Sequence, residues 1–269
     1  MKKIDVATSH KSQVTAIIGG GNMGEALIKG LNGHGLFVCE ANPARARYLK
    51  NKYKVNIAQL SDAVSKAELI VFAVKPQDMA EALKQVKQLG DKLYISIAAG
   101  LTTKFFENHL GGKPKVVRAM PNMPALIGEG ITGICAGRFA KPVDLKLAQT
   151  VLAAVGETVI VKEAMMDAVT AVSGSGPAYV FLFVEQWMAA AKKLGFKEEE
   201  SKRFIYQTLI GSAHLLVKSA FDPGTLRAKV TSKGGTTQAA MDVFQNGKFD
   251  QIFQKALLAA KNRSKELAK

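Results

Sequence analysis

Val14-Thr15-Ala16-Ile17-Ile18-Gly19-Gly20-Gly21-Asn22-Met23-Gly24, followed by Glu25-Ala26-Leu27-Ile28-Lys29-Gly30-Leu31, decides how the rest of the chain is read. A β-branched apolar run ends in Gly-x-Gly-x-x-Gly, and the residues after it return apolar side chains at helical spacing. Strand, glycine turn and helix in that order form the setting in which this spacing binds a dinucleotide. Gly19 permits the tight turn, Gly21 lets a pyrophosphate approach the backbone, and Gly24 lets the helix lie close against the strand. The helix then points its unpaired N–H groups and the positive end of its dipole at the phosphates.

Outward from this turn, strand-like and helix-like segments alternate from Val14 to about Val161. Strands are expected at 14–18, 36–40, 69–74, 94–97, 115–119, 131–135 and 157–161, with helices at 43–53, 77–88 and 143–154 between several of them. Such alternation predicts an α/β domain with a doubly wound, mainly parallel sheet of the Rossmann type. Ligands of these sheets bind beyond the carboxyl ends of the strands. The unusual residues gather there: Gly19 to Gly24, Glu40 to Pro43, Val74-Lys75-Pro76, Ala98-Ala99-Gly100 and Met120-Pro121-Asn122. Residues 1–12 are polar and read as a flexible N-terminal extension, which leaves 13–162 as the dinucleotide-binding domain.

After Val161 the strand pattern stops, and helices are expected at 164–173, 177–194, 198–219, 223–230, 236–246 and 249–267. Asp222 before Pro223 reads as an N-cap followed by a first-turn proline. The 177–194 helix carries Tyr179, Val180, Phe181, Leu182, Phe183 and Val184 in succession, so it has no polar face. A helix apolar on every side must be covered. The all-α segment 163–269 is too small to cover it, so a second copy of the chain is expected, as an obligate homodimer built on the C-terminal helices.

The chain has 269 residues and a net charge of +15, a balance that raises nucleic acid as a partner. Its lysines and arginines are scattered, however, apart from a small cluster at Lys261-Asn262-Arg263-Ser264-Lys265, and they are not read as a stacking platform for bases. A cationic surface for an anionic cofactor and substrate is expected instead, with no nucleic acid. Cys39 and Cys135 have neither metal nor disulfide spacing and read as small core residues. The first dozen residues hold Lys2, Lys3 and Lys11 but no apolar core of a secretory signal. The longest apolar run, Ala178 to Val184, stops at Glu185-Gln186, short of a membrane span. The expectation is a cytoplasmic protein without a membrane partner.

Chemistry-bearing residues fall into three groups. At the end of the second strand, Glu40 suits a ribose diol and NADH, whereas Asn42, Arg45 and Arg47 suit a 2′-phosphate and NADPH. The basic side chains outnumber the single acid, so NADPH is the expected cofactor, with NADH as the alternative. Ser173-Gly174-Ser175-Gly176-Pro177 and Ser232-Lys233-Gly234-Gly235-Thr236-Thr237 are two further glycine-rich turns that open helices. Gly234 and Gly235 offer successive N–H groups to a carboxylate, with the hydroxyls of Thr236 and Thr237 beside them. His10, His34, His109 and His214 have no carboxylate partner in the pattern, so the chemistry is expected to rest on cofactor and positioning.

With these residues assembled, the chain resembles the Δ1-pyrroline-5-carboxylate reductases from Val14 to the C-terminus. The resemblance rests on Gly19 to Gly24, Ala73-Val74-Lys75-Pro76-Gln77, Ser96-Ile97-Ala98-Ala99-Gly100, Arg118-Ala119-Met120-Pro121-Asn122, Gly128-Glu129-Gly130, and above all the two glycine-rich turns of the second half. It implies NAD(P)H contacts at Ile18, Gly19, Gly20, Gly21, Asn22 and Met23, at Ala41, Asn42 and Pro43, at Ala73, Val74, Lys75 and Pro76, and at Ile97, Ala98 and Ala99. It implies substrate contacts at Glu163, Thr236 and Thr237, to which the turn adds Gly234 and Gly235; Thr237 is the expected catalytic group, at the ring nitrogen. It also implies dimers of interlocked C-terminal helices, often assembled into decamers. Lys233, Leu60 and Lys229 depart from the residues common at those positions in the family.

Overall fold

A computed structural model describes residues 14–31, 35–86 and 91–267. The N-terminal extension expected at 1–12 lies outside the described residues, as do His10, His34 and the end of the helix expected at 77–88. Strand β1 (Thr15–Ile18) runs through the glycine turn into α1 (Asn22–Leu31). Then follow β2 (Leu36–Cys39), α2 (Pro43–Tyr53), β3 (Asn56–Ile57), α3 (Leu60–Lys66), β4 (Leu69–Phe72), α4 (Pro76–Lys84), β5 (Leu93–Ser96), α5 (Thr103–Leu110) and β6 (Lys115–Met120). The sheet is completed by β7 (Gly130–Ala136), α6 (Pro142–Leu152) and β8 (Gly156–Ile160). The short elements β3, α3 and α5 lie outside the set expected from sequence.

The eight strands lie in the order β3-β2-β1-β4-β5-β6-β7-β8. Every pairing is parallel except β6 with β7, which is antiparallel because only a short 3₁₀ turn, Met123–Ile127, joins them. The order reverses between β2 and β4 on either side of β1, the topological switch point where such sheets take their ligands. The register aligns the strand ends at this point: Ile18 lies beside both Cys39 and Phe72, and Phe72 beside Ser96.

Both faces of the sheet are covered, which explains the unbroken apolar strands. Ile17, Val38, Val71 and Ile95 face one side with Leu27 and Ile28 of α1. Ile18, Ile70, Phe72 and Tyr94 face the other with Val64, Met79, Leu83 and Phe106 from α3, α4 and α5. Cys39 and Cys135 are buried, and burial pushes the Cys39 thiol up to about 11. With burial as the first cause and the Glu163 carboxylate as the next, the Cys135 thiol rises to about 12. Neither presents a thiolate.

The remaining helices are α7 (Met166–Val169), α8 (Gly176–Lys193), α9 (Glu198–Lys218), α10 (Pro223–Lys229), α11 (Thr236–Asn246) and α12 (Phe249–Leu267). A π-helical stretch, Thr170–Gly174, precedes α8, with the Ser175 N–H bonded to the Thr170 carbonyl. By packing, the chain divides near Pro177. Among the described residues, those up to Pro177 together with Ala259–Leu267 form one compact unit, and Ala178–Leu258 form a second. The physical reason is that Met166 and Ala171 are buried with the sheet, and the Ser264 hydroxyl donates to the Asp167 carboxylate at 2.8 Å.

Helix α8 bears the expected all-round apolar surface, with Val180, Phe181, Leu182 and Phe183 each at least 43% exposed in the single chain. The helical run Glu163–Lys193 is also long and apolar enough to cross a membrane by length and composition alone. That corrects the shorter estimate from Ala178 to Val184, because the π turn continues the helical path upstream of the apolar run.

Candidate functional site

The glycine turn is built as the spacing requires. Gly19 has φ +103°, and a Cβ there would lie 2.7 Å from the Ala73 carbonyl oxygen. At Gly24 a Cβ would land on the Gly19 carbonyl oxygen, so helix and strand touch backbone to backbone. Gly21 is the opposite case, with no atom within 4 Å of where its Cβ would stand. Its carbonyl accepts the Glu25 N–H at 2.8 Å and so closes the first turn of α1. The preceding donors are already committed: Gly19 N–H to the Cys39 carbonyl at 2.8 Å, Gly20 N–H to Glu40 Oε2 at 2.7 Å. Helix geometry leaves Asn22, Met23 and Gly24 with first-turn N–H groups that have no intrahelical partner. The open cradle over Gly21, edged by these donors, fits a pyrophosphate, whereas Gly20 serves the turn itself.

Around the cradle stand the other expected positions. The Ala73 N–H extends the ladder to the Ile18 carbonyl at 2.7 Å, and the Ile97 N–H to that of Phe72 at 3.1 Å. These bonds hold Ala73-Val74 and Ile97-Ala98-Ala99 at the same edge as Gly19. Lys75 is exposed as the N-cap of α4, and Pro76 fills its first position.

The loop after β2 is occupied differently from the simple sequence reading. Glu40 turns both carboxylate oxygens onto backbone, Oε2 to Gly20 N–H and Oε1 to Asn42 N–H at 2.8 Å. The chain turns there, which is why β2 ends at Cys39. Asn42 is the N-cap of α2, its Oδ1 accepting from Ala44 and Arg45 N–H at 3.0 and 3.1 Å. Arg45 donates from Nε to the Gly20 carbonyl at 2.7 Å and from Nη2 to Glu25 on α1. Its guanidinium carbon lies 5.0 Å from the centre of the Tyr48 ring. Glu25 also accepts from the Tyr53 hydroxyl, the Tyr48 hydroxyl and Lys52 Nζ at 2.7, 3.0 and 3.1 Å. Burial opposes its ionisation, but the bonds from Tyr53, Arg45, Lys52 and Tyr48 outweigh it and hold the carboxyl down to about 2.

In the same unit, Glu163 is engaged with the start of α5. Its Oε1 accepts the Thr103 N–H and its Oε2 the Thr103 hydroxyl, both at 2.7 Å. Buried Arg118 stands 3.7 Å from Glu163 and 3.9 Å from Asp167, tying β6 to the segment before α8. Glu25, Arg118 and Asp167 were not among the expected contact residues, although Arg118 lies in a stretch that carries the family resemblance. A lone arginine inside the buried strand Lys115-Val116-Val117-Arg118-Ala119-Met120 is the signal that points to a buried carboxylate partner.

In the second unit, Gly235 caps α11 without a side-chain bond, and Gly234 has φ +72° with open space around it. The Gly235 N–H donates to the Ser232 carbonyl at 3.0 Å, so it closes the turn and is not an available donor. A Cβ on Gly235 would strike the Ser232 hydroxyl. Thr236 is exposed and Thr237 half-buried; their N–H groups open the helix and have no intrahelical acceptor. Lys229, at the end of α10, sits 4.1 Å from the Phe221 ring centre.

Comparison with known proteins agrees with both halves. The pyrroline-5-carboxylate reductase dimerisation family matches residues 163–267, and the coenzyme F420-dependent NADP oxidoreductase family matches 14–100. A pyrroline-5-carboxylate reductase of Mycobacterium tuberculosis is 39% identical over 282 residues, covering 94% of this chain and 96% of that protein. The solved structure of a pyrroline-5-carboxylate reductase from Coxiella burnetii superposes with a TM-score of 0.88 at 35% identity, covering 96% of this chain and 99% of the other. A Plasmodium falciparum pyrroline carboxylate reductase, solved with NADP bound, also gives 0.88, at 31% identity and the same coverage. On the glycine cradle, the two glycine-rich turns and this full-length similarity, the chain belongs to the pyrroline-5-carboxylate reductase family.

Proposed function

We propose that the protein reduces L-Δ1-pyrroline-5-carboxylate to L-proline, the last step of proline biosynthesis, with NADPH as its cofactor and NADH as a weaker alternative. The observation that carries this reading is the open cradle at Gly21 in a chain that also retains the Ser232-to-Thr237 turn. The cradle donors are the N–H groups at the start of α1, and Ala73 to Pro76 with Ile97 to Ala99 would border the nicotinamide. Ala41, Asn42 and Arg45 would hold the adenosine ribose. When bound, the reduced cofactor supplies a hydride, which reduces the imine at C5.

The chain's own work is to bind and orient. The substrate carboxylate is taken by Gly234 and by the N–H and hydroxyl of Thr236, with Gly235 contributing closeness of approach. Thr237 directs its hydroxyl to the ring nitrogen, the one catalytic contact assigned to this chain. Glu163 belongs to the substrate set through the family resemblance. A protonated imine nitrogen makes C5 more electrophilic, so solution pH supplies activation that an enzyme acid would otherwise give. The product amine is balanced by one hydride and one proton.

The dimerisation region spanning 163–267 and the exposed apolar surface of α8 support a homodimer of C-terminal helices; further assembly into decamers rests on the family resemblance alone. A second copy covering α8 accounts for the span-length apolar run without a bilayer, in keeping with a cytoplasmic protein. The functional test is turnover of pyrroline-5-carboxylate with NADPH and NADH against turnover of small β-hydroxyacids with NADP+ and NAD+. Reduction of the imine alone supports the proposal, and oxidation of hydroxyacids alone refutes it.

A further inference from the structure

Arg45 stands on the first turn of α2, directly after the strand end where Rossmann-type sheets read the adenosine ribose. A guanidinium has five N–H donors in one plane. Here Nε is held by the Gly20 carbonyl and Nη2 by Glu25, while the Tyr48 ring lies against the group. Three sides of the guanidinium are therefore fixed, and the remaining donors are left for a ligand. The anchor is itself immobile, because the other Glu25 oxygen accepts from Tyr48, Tyr53 and Lys52. Glu25 also belongs to α1, the helix that opens on the pyrophosphate cradle. Holding Arg45 from α1 places the ribose-side cation in fixed register with the phosphate-side donors.

We infer that Glu25 is a positioning residue for cofactor choice: it pre-orients Arg45 to receive a 2′-phosphate, and so selects NADPH over NADH. The inference rests on the proposed use of NADPH. It follows from the cost of fixing a flexible arginine, which a preformed ion pair has met before the ligand arrives. A cofactor lacking the 2′-phosphate gains nothing from that arrangement.

The experiment is calorimetric binding of NADP+, NAD+ and adenosine 2′,5′-bisphosphate to wild type and to Glu25→Gln, which keeps shape and removes charge. NADP+ and the bisphosphate should bind about three- to tenfold more weakly, the factor expected when one rotamer-rich side chain must be ordered on binding. NAD+ should be unchanged. In an Arg45→Ala background, Glu25→Gln should leave the NADP+ to NAD+ ratio where it was. Should Glu25→Gln fail to fold by circular dichroism, Tyr48→Ala at an exposed position removes the ring beside the guanidinium and should give the same selective loss. Equal weakening of both dinucleotides, no change, or tighter NADP+ binding overturns the inference; the last would make Glu25 a competitor for Arg45. Wild type that binds neither NADP+ nor the bisphosphate overturns the NADPH reading as well, whereas wild-type binding with an unchanged ratio in the variant sinks the Glu25 role alone.

Discussion

Gly21→Val separates the two jobs of the glycine turn. No atom lies within 4 Å of the Cβ position, so the first carbon of the valine meets nothing in the folded chain. Gly21 is not among the residues with positive φ, so a side chain brings no backbone strain. It does cap α1, and a β-branched residue is a poor cap, at a cost of roughly 0.5–1 kcal/mol. Loss of glycine from the unfolded chain returns about 0.4–1 kcal/mol, so the net change in stability is near zero. Ligand binding has no such compensation, because the isopropyl group fills the cradle. Losing even one charge-assisted hydrogen bond to phosphate costs about 1.5–3 kcal/mol, roughly ten- to a hundredfold in affinity. The assay is NADPH titration by nicotinamide fluorescence, beside thermal unfolding by circular dichroism. The melting temperature should stay within about 4 °C of wild type, the shift worth one kcal/mol at this chain length. Gly24→Ala is the counter-case: its Cβ would overlap the Gly19 carbonyl, an overpacking that costs about 1–3 kcal/mol. A folded Gly21→Val protein that binds NADPH like wild type would refute the assignment of the cradle.

Thr237→Ala removes one hydroxyl from the start of α11 and should lower kcat/KM for the imine about two- to tenfold, since a neutral hydrogen bond is worth about 0.5–1.5 kcal/mol; NADPH affinity should not move, and full activity would place the ring nitrogen elsewhere. Val180→Asp puts a charge on the exposed apolar surface of α8 and should give aggregated protein or an unstable monomer by light scattering. Wild type that is monomeric at micromolar concentration would contradict the dimer. Glu25 titrates below its ordinary 4.5, at about 2, so the stability it contributes is complete above 4.5 and lost as pH falls from there toward 2. The urea-unfolding gap between wild type and Glu25→Gln should therefore narrow across that interval; a gap independent of pH would contradict the assignment of the hydrogen bonds.

The glycine turn was legible because each glycine answers a local steric demand, and the parallel strands because burial on both faces leaves unbroken apolar runs. Helix α5 escaped notice despite a readable signal: Thr102 is a capping residue, and its hydroxyl accepts the Phe105 N–H. Strand β3 has two residues, Asn56–Ile57, too few to show a period. The π stretch before α8 follows no residue pattern that differs from a helix.

The site was legible in its residue types and obscured in their pairings. Arg45 could be read as a phosphate ligand, but its bond to Glu25 spans 20 residues and its bond to Gly20 spans 25. Glu163 finds Thr103 across 60 residues, which no local spacing announces. The N–H of Gly235 looked available until the turn that uses it was in view. Residue identity sets what a group can donate or accept; only the fold decides which partner takes it first.

The most direct test of the account uses NADPH carrying deuterium at the transferable nicotinamide position, incubated with the protein and L-Δ1-pyrroline-5-carboxylate. Magnetic resonance of the product should show L-proline with one deuterium at C5. Failure to form proline, or proline without deuterium at C5, would contradict it.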